Sequence, residues 1–538
     1  MKKISTPFCL LLIGSLATMN ITLAQTPDDA LRAGWFIPGG SARSIATGGA
    51  MGSLGGDISA NNVNPAGIGL YKTREFVLSP GMMFNNNKAN FRDSGTTGPS
   101  KSAFAYGPIG FVFGSPSRKG SNWTSSAFSI SVSQLASYNN HVSYSGFNNS
   151  SSFSEQYLEE LVRDNADTIA ATNNYVNGAS LAYGSYLINP EYKDVNGVPH
   201  VFTGYYSNVP VPYGNSSAPT AGVYQQYDAN TSGGLHEVSI ALAGNMDDKL
   251  YIGGSLNVPI LKYNREVYYR ETDASGNPNN DFSYFEYTEK FTSSGVGLNA
   301  KLGFIYKPKE YIRLGFAFHT PSIMSMKDEL RASIKADTEY TGSDGVLDGP
   351  VTTTTESLNG GKPVTRSYGQ VTPYRAIISG SYVFREVENT HKQRAFVTAD
   401  IEYVNYRGSR FFNTEDEAEA ESRGTKEYYK QANAANKDYL KGAFNFRLGG
   451  ELKFDPWMFR LGAAYYSSPY QDKELKASRI LTSGGIGYRN HGMFIDLTYA
   501  YTFNKDVNFP YRLNDKPNTF ATVNNNRGNL ILTVGFKI

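Results

Sequence analysis

The sequence predicts an all-β chain: a transmembrane antiparallel β-barrel of about 14 strands with an N-terminal hatch inside its lumen. Three observations predict it. Apolar and polar residues alternate with a period of two through most of the chain, as in Met493, Ile495, Leu497, Tyr499, Tyr501 and Phe503 against Asp496, Thr498, Ala500 and Thr502. Short and long connections alternate between the strand-like stretches. One early stretch, rich in Gly, Ala, Ser and Asn, has neither a strand period nor a long-helix period.

Taken in order, Met1 to Ala24 reads as a secretory signal. Lys2 and Lys3 are the positive n-region, Phe8 to Met19 the apolar h-region, and Thr22-Leu23-Ala24 the cleavage site, so the mature chain is expected to begin at Gln25. Cys9, the single cysteine, lies inside that signal, which leaves the mature chain without disulfides, thiol chemistry or cysteine metal sites.

Residues 25–72 form the expected hatch. Its centre is Ala42 to Leu70, ARSIATGGAMGSLGGDISANNVNPAGIGL. Paired glycines permit tight bends and close backbone contacts, and Asn64-Pro65 is a turn signal. Gly48, Gly49, Ala50, Asp57, Asn64, Pro65 and Ala66 are its candidate functional residues.

Residues 73–538 supply the barrel. Strand starts are expected near Arg74, Lys101, Asn122, Gly234, Lys249, Phe282, Glu310, Pro363, His391, Gly442, Trp457, Arg479, Gly492 and Gly528. Connections such as Met246–Asp248, Lys307–Lys309, Arg385–Thr390 and Asp455-Pro456 are short. Asn85–Ser100, Asn140–Gly233, Ala336–Lys362, Ser409–Lys441 and Lys505–Arg527 are long and polar, the largest being 140–233. An even number of strands with periplasmic turns and extracellular loops puts both termini on the periplasmic side. Two loops carry helical signal, SFSEQYLEELVRDNADTIAAT with Ser154 as N-cap candidate, and Glu415 to Leu440.

Asp400, Glu402, Arg447, Glu451, Lys453, Arg460 and Asp496 fall on the polar faces of late strands. An Arg or Lys facing lipid at mid-membrane costs roughly 2–4 kcal/mol, so these charges must face the lumen, where mixed signs suit a hydrogen-bonded network. In the third strand Phe128, Ile130 and Val132 alternate with Ser129, Ser131 and Ser133, and the alternation breaks at Gln134 and Leu135. Gln134 would then point into lipid, and a bulge would relieve it. The other reading puts Gln134 at the membrane interface with nothing unusual about it.

Composition excludes several functions. The net charge is +2 with 18% charged residues, which gives no basis for nucleic-acid binding. Mean hydropathy is −0.39, and no apolar run of transmembrane-helix length follows the signal. Gly49 to Gly55 faintly suggests a phosphate loop but lacks the flanking strand and helix. The six His are scattered without ligand spacing, so no metal, haem or other cofactor is expected. No catalytic constellation stands out among the abundant Ser, and no enzyme is expected.

On specific residues the chain resembles the FadL/TodX family of outer-membrane transporters for long-chain fatty acids and hydrocarbons. Asn64-Pro65-Ala66 is similar to the family's NPA hatch motif. Ile312-Arg313-Leu314-Gly315 with His319-Thr320-Pro321-Ser322, Phe459-Arg460-Leu461-Gly462 with Ser468-Pro469, and Gly485-Ile486-Gly487-Tyr488 support it. The resemblance implies a monomeric 14-stranded barrel in the outer membrane of a Gram-negative bacterium, with a periplasmic hatch. It also implies passive transport of a hydrophobic small molecule, leaving sideways into outer-membrane lipid at a kink of the third strand, here Ser133, Gln134 and Leu135. The long, polar 140–233 loop departs from the family pattern. A receptor- or adhesin-type barrel whose long loops bind a partner is the alternative, and a general porin a weaker one because the lumen is plugged.

Overall fold

Buried and exposed positions alternate without a break along Ala395–Asn405, and the same period recurs around the sheet. Such a strand has one face for a packed interior and one for an apolar surrounding. The computed structural model describes residues 27–117, 121–195, 198–211, 222–339, 349–384, 394–414, 425–473, 475 and 477–538. The leader, the Arg385–Thr390 turn and the strand start at His391 lie outside the described residues.

A closed antiparallel barrel of 14 strands results. β1 comprises Arg74–Leu78 and Pro80–Phe91, β2 Lys101–Tyr106 and Ile109–Pro116, and β3 Trp123–Ser137. β4 is Val223–Met246, β5 Leu250–Asp273 and β6 Tyr284–Lys309. β7 comprises Ile312–His319 and Ile323–Asp337, and β8 Val364–Val371 and Arg375–Phe384. β9 is Ala395–Asn405, β10 Gly442–Phe454, β11 Trp457–Tyr466, β12 Arg479–Asn490, β13 Met493–Asn508 and β14 Ala521–Lys537. Closure pairs β1 with β14, Glu75 opposite Lys537 and Leu78 opposite Val534. The outward face exposes Phe104, Leu242, Leu256, Leu302, Ile378 and Leu461, a surface too apolar for water and suited to lipid. Among the described residues no helix is long and apolar enough to cross a membrane.

Two strand starts differ from the sequence expectation. β4 begins at Val223 rather than near Gly234, and β14 at Ala521 rather than near Gly528. The reason is that β4, β5 and β6 run for 24, 24 and 26 residues, well beyond the roughly 9–11 that cross a bilayer. Above the apolar band the strands go on as hairpins with polar and aromatic faces. Residues 140–233 are therefore not a plain loop: Asn140–Asn148 pairs with Val223–Thr231 of β4.

At this long-loop end residues 149–195 and 198–211 form a small subdomain. It contains α-helices at Glu155–Arg163, Thr168–Asn173 and Ala179–Gly184 and a hairpin of Ile188–Val195 with Val198–Ser207. Phe153, Tyr157, Leu158, Leu161, Leu181 and Leu187 pack with Tyr269, Phe285 and Tyr287 of β5 and β6. Ser154 occupies the helix N-cap position but makes no capping bond; its hydroxyl instead bonds the Ser152 and Ser207 hydroxyls. The second loop helix is Thr425–Tyr439; residues 415–424 are outside the described set.

Candidate functional site

Residues 27–72 make hydrogen bonds to groups on the inward faces of the barrel strands. The first helix, α1 (Pro27–Arg32), is followed by α2 (Ala42–Ala46), α3 (Ala60–Val63) and a 3-10 turn at Pro65–Leu70. The short helices follow from local chemistry. The Ser41 hydroxyl caps α2 by accepting from Ser44 N at 3.1 Å. Gly48 and Gly49 then reverse the chain at φ 66° and 77°, a region open to glycine. Asp57 holds the segment to itself, accepting from the Ser41 hydroxyl at 2.7 Å and from Ser59 N at 2.8 Å.

Asn64, Pro65 and Ala66 press against β5, β6 and β7. The Asn64 amide donates to Gly52 O at 2.6 Å, Phe304 O at 3.2 Å and Phe316 O at 3.4 Å, while its oxygen accepts from Ala66 N at 3.1 Å. One side chain thus joins two turns of the segment to two strands of the wall. Elsewhere Ala42 N donates to Thr533 Oγ1 and Thr498 Oγ1 donates to Ala42 O, both at 2.7 Å. Wall glycines make room for this contact. A Cβ on Gly462 would lie 2.1 Å from Gly48 N, and one on Gly315 2.3 Å from Gly52 O. The Arg-Leu-Gly stretches at Arg313–Gly315 and Arg460–Gly462 therefore combine an inward cation with a strand position stripped for backbone contact.

The inward charges form three clusters. The side chain of Arg460, fully buried, donates to Glu451 and to Asp496, both at 2.6 Å, and Arg43 of the N-terminal segment approaches Glu451 at 3.7 Å. Arg447 pairs with Glu402 at 2.7 Å and lies 3.8 Å from Asp400, whose carboxylate accepts from Gly52 N at 3.1 Å. Arg375 joins Glu402 at 3.4 Å and also donates to Gly34 O. Gly49 lies against the second cluster, with Arg447 Cδ 3.5 Å from its Cβ position, and Ala50 is fully buried. A third cluster, Glu237 with Lys301, Asn299 and the nearby His319, ties in the early strands; His319 Nε2 donates to Val63 O at 2.8 Å. The sequence pattern did not single out Glu237, Lys301 or Arg375. Their signal is the same phase argument, since Glu237 falls in register with Leu235 and Ser239 on the inward face of β4.

The wall is interrupted at β3. Ile109–Pro116 of β2 pairs with β3 only as far as Val132. Beyond it, Lys101–Tyr106 pairs with β1 alone, and β3 from Ser133 to Ser137 pairs with β4 alone. On that side Leu135 is a bulge: Gln134 faces His236, Ala136 faces Leu235, and Leu135 has no opposite. Ser133, Gln134 and Leu135 are all buried. Residues 38–40 wedge in behind this break. Gly39 N donates to Leu135 O at 3.2 Å, a Cβ on Gly39 would lie 2.4 Å from Gln134 O, and one on Gly107 of β2 would lie 2.3 Å from Gly40 O. Nothing in the sequence pattern marks Gly39 or Gly40 beyond a Pro-Gly-Gly turn signal.

A cavity of about 350 Å³ reaches from the lumen to the break, lined among others by Trp35, Ile37, Tyr106, Gln134, Tyr263 and Arg479. Trp35 lies under the Arg479 guanidinium at 3.6 Å. Above it, α1 is tied to the long-loop end: the Tyr470 hydroxyl donates to Asp28 at 2.5 Å and Arg512 lies 3.8 Å from Asp28. Ile538 sits at the short-turn end, as expected of a C-terminus there, but Pro27 does not. The described chain starts high in the barrel, where Arg32 packs on Tyr263 and Phe291, and descends to the short-turn end, where Lys72 meets Asp248 at 3.2 Å. Among the described residues no group of three or more His, Cys, Asp or Glu could hold a metal ion.

No family model matches the chain, and no curated protein matches it. Solved structures do. A FadL homologue of Pseudomonas aeruginosa superposes with a TM-score of 0.52 at 14% identity, over 94% of this chain and 99% of that one. The toluene transporter TodX of P. putida gives 0.49 at 12% identity, over 94% and 99%, and the toluene transporter TbuX of Ralstonia pickettii 0.47 at 15%, over 93% and 99%. The fold is shared with the P. aeruginosa FadL homologue.

Proposed function

We propose that this protein is an outer-membrane channel for hydrophobic small molecules, which pass by diffusion into the barrel and leave sideways through the wall. One observation carries the reading. In this reading residues 27–72 fill the lumen, and a cavity lined by Trp35, Ile37 and Tyr263 ends at the interruption between β2 and β3. A filled lumen stops bulk water flow, whereas a break opening on acyl chains suits a solute that prefers lipid. Residues 27–72 act as the hatch, the charge clusters seat it, the long-loop end faces outward and the short turns face the periplasm. The fold shared with a FadL homologue supports this reading. Proteoliposomes containing the protein should pass a hydrophobic fluorescent probe faster than empty vesicles while excluding a polar dye of equal size. Equal rates for the hydrophobic probe would refute the channel.

A receptor-type barrel is the second reading, favoured by the subdomain at 149–211, which has its own aromatic core on β5 and β6. Removing that subdomain separates the two: a channel keeps probe transport, and a receptor loses its only activity.

A further inference from the structure

We propose that Tyr106, Gln134 and His236 form a side-chain gate closing the break in the wall, an inference that rests on the sideways route proposed above. All three are in outward phase. Tyr106 follows exposed Phe104 on β2, Gln134 follows exposed Val132 on β3, and His236 precedes exposed Ile240 by four residues on β4. In an unbroken sheet β3 would keep Tyr106 and His236 a full strand apart. Here the rings stack at 5.6 Å with 12° between planes, and the Tyr106 hydroxyl and His236 Nδ1 share a hydrogen bond of 2.6 Å. The β2 bank thus reaches over the bulged β3 to touch the β4 bank.

Gln134 completes the closure. Tyr106 N has no strand partner on this side, and it donates to Gln134 Oε1 at 3.3 Å. The amide therefore stands in for the missing carbonyl of the ladder, which relieves the cost of a bare N–H in lipid. The other end of the Gln134 amide lies beside Gly234 and the second ring nitrogen of His236; a Cβ on Gly234 would meet both at 3.1 Å. Tyr106 and Gln134 also line the cavity from within. The three side chains thus meet where the cavity reaches the break, held by single hydrogen bonds and a ring stack rather than by a backbone ladder. Swinging Tyr106 away from His236 opens the cavity to the bilayer without moving a strand. Loss of one such bond shifts an open-to-closed ratio by about fivefold.

The test reads the opening itself. In a Trp123→Phe/Trp457→Phe background Trp35 is the sole tryptophan. Reconstituted into vesicles with brominated acyl chains, it should be quenched weakly. Tyr106→Ala and His236→Ala should each raise quenching severalfold, and Tyr106→Phe, which removes one oxygen and preserves packing, should raise it in part. Residues 27–538 contain no cysteine, so Tyr106→Cys with His236→Cys gives a clean pair for a short reducible crosslinker: quenching should be low when bridged and high after reduction. Quenching that is equal in the background, Tyr106→Phe and Tyr106→Ala overturns the gate. If quenching changes as stated but no variant passes a hydrophobic probe, the gate stands and the channel reading fails.

Discussion

The Asn64 side-chain oxygen occupies the space that a Cβ on Gly303 would fill, 1.8 Å from that position. The fit between the N-terminal segment and β6 therefore depends on the absence of one methyl group. Gly303→Ala should expel Asn64 and break its bonds to Phe304 O and Phe316 O, at about 1 kcal/mol for each hydrogen bond lost. Asn64→Ala with Pro65→Ala should loosen the same seat from the other side and alter probe uptake. Hydrogen exchange should rise across 42–70 while the barrel strands stay protected. Unchanged exchange in Gly303→Ala would show that the seat tolerates the methyl group.

Arg460 lies between two carboxylates. Arg460→Met leaves Glu451 and Asp496 buried without their shared cation, a loss of about 3–5 kcal/mol. Thermal melting in detergent should drop well below that of the parent. Replacing all three by apolar residues of similar volume should recover most of the loss, because the penalty comes from stranded charge.

Gly39→Val should push residues 38–40 off the back of β3, since its Cβ meets the Gln134 carbonyl. Overpacking of this kind costs about 1–3 kcal/mol. Protease cleavage within 33–45 should become faster, with little change in the melting of the barrel. Cleavage at the parent rate would place the wedge elsewhere in solution.

The subdomain at the long-loop end should weaken as pH rises. Burial pushes the Glu160 carboxyl from its ordinary 4.5 up to about 7. Burial does the same for Glu155, to about 7, against the opposing pull of Lys516. A folded-state value above the unfolded one means that the folded form holds the extra proton. This stabilising contribution is complete below about pH 4.5 and is lost as pH passes through 7. Exchange at 155–184 should be slower at pH 5 than at pH 8 after correction for intrinsic rates. Glu160→Gln should remove part of that difference.

Much of this architecture is legible in the residues. Strand starts at Arg74, Lys101, Gly442, Trp457 and Arg479 coincide with those expected, because within the bilayer an alternating face is the only affordable one. The phase of Asp400, Glu402, Arg447, Arg460 and Asp496, all buried, is legible for the same reason. Above the apolar band the outward face turns polar at Gln226, Asp228, Thr522 and Asn524 and the inward face mixes Val223 and Val523 with Gln225 and Asn525, so the starts at Val223 and Ala521 are hidden. The irregularity at Gln134 and Leu135 shows as broken alternation. Its partners do not, because the meeting of Tyr106 with His236 depends on where two separate ladders end. The position of α1 is equally silent: PDDALR is a short polar helix wherever it lies, and only Tyr470 and Arg512 show that it sits high in the barrel.

The path of residues 27–72 sets an order for assembly. The segment runs inside the barrel from the long-loop end to Lys72 and passes directly into β1, the strand whose pairing with β14 closes the cylinder. Wall and segment interlock at Gly253, Gly315 and Gly462, where no side chain separates the two backbones. Once the β1–β14 seam has zipped, these contacts could form only by sliding a folded segment along a lumen already crowded by Arg447 and Arg460. The segment must therefore be lying in the open trough of the nascent sheet when the seam meets. The earliest part of the chain is then the mandrel around which the latest part is wrapped.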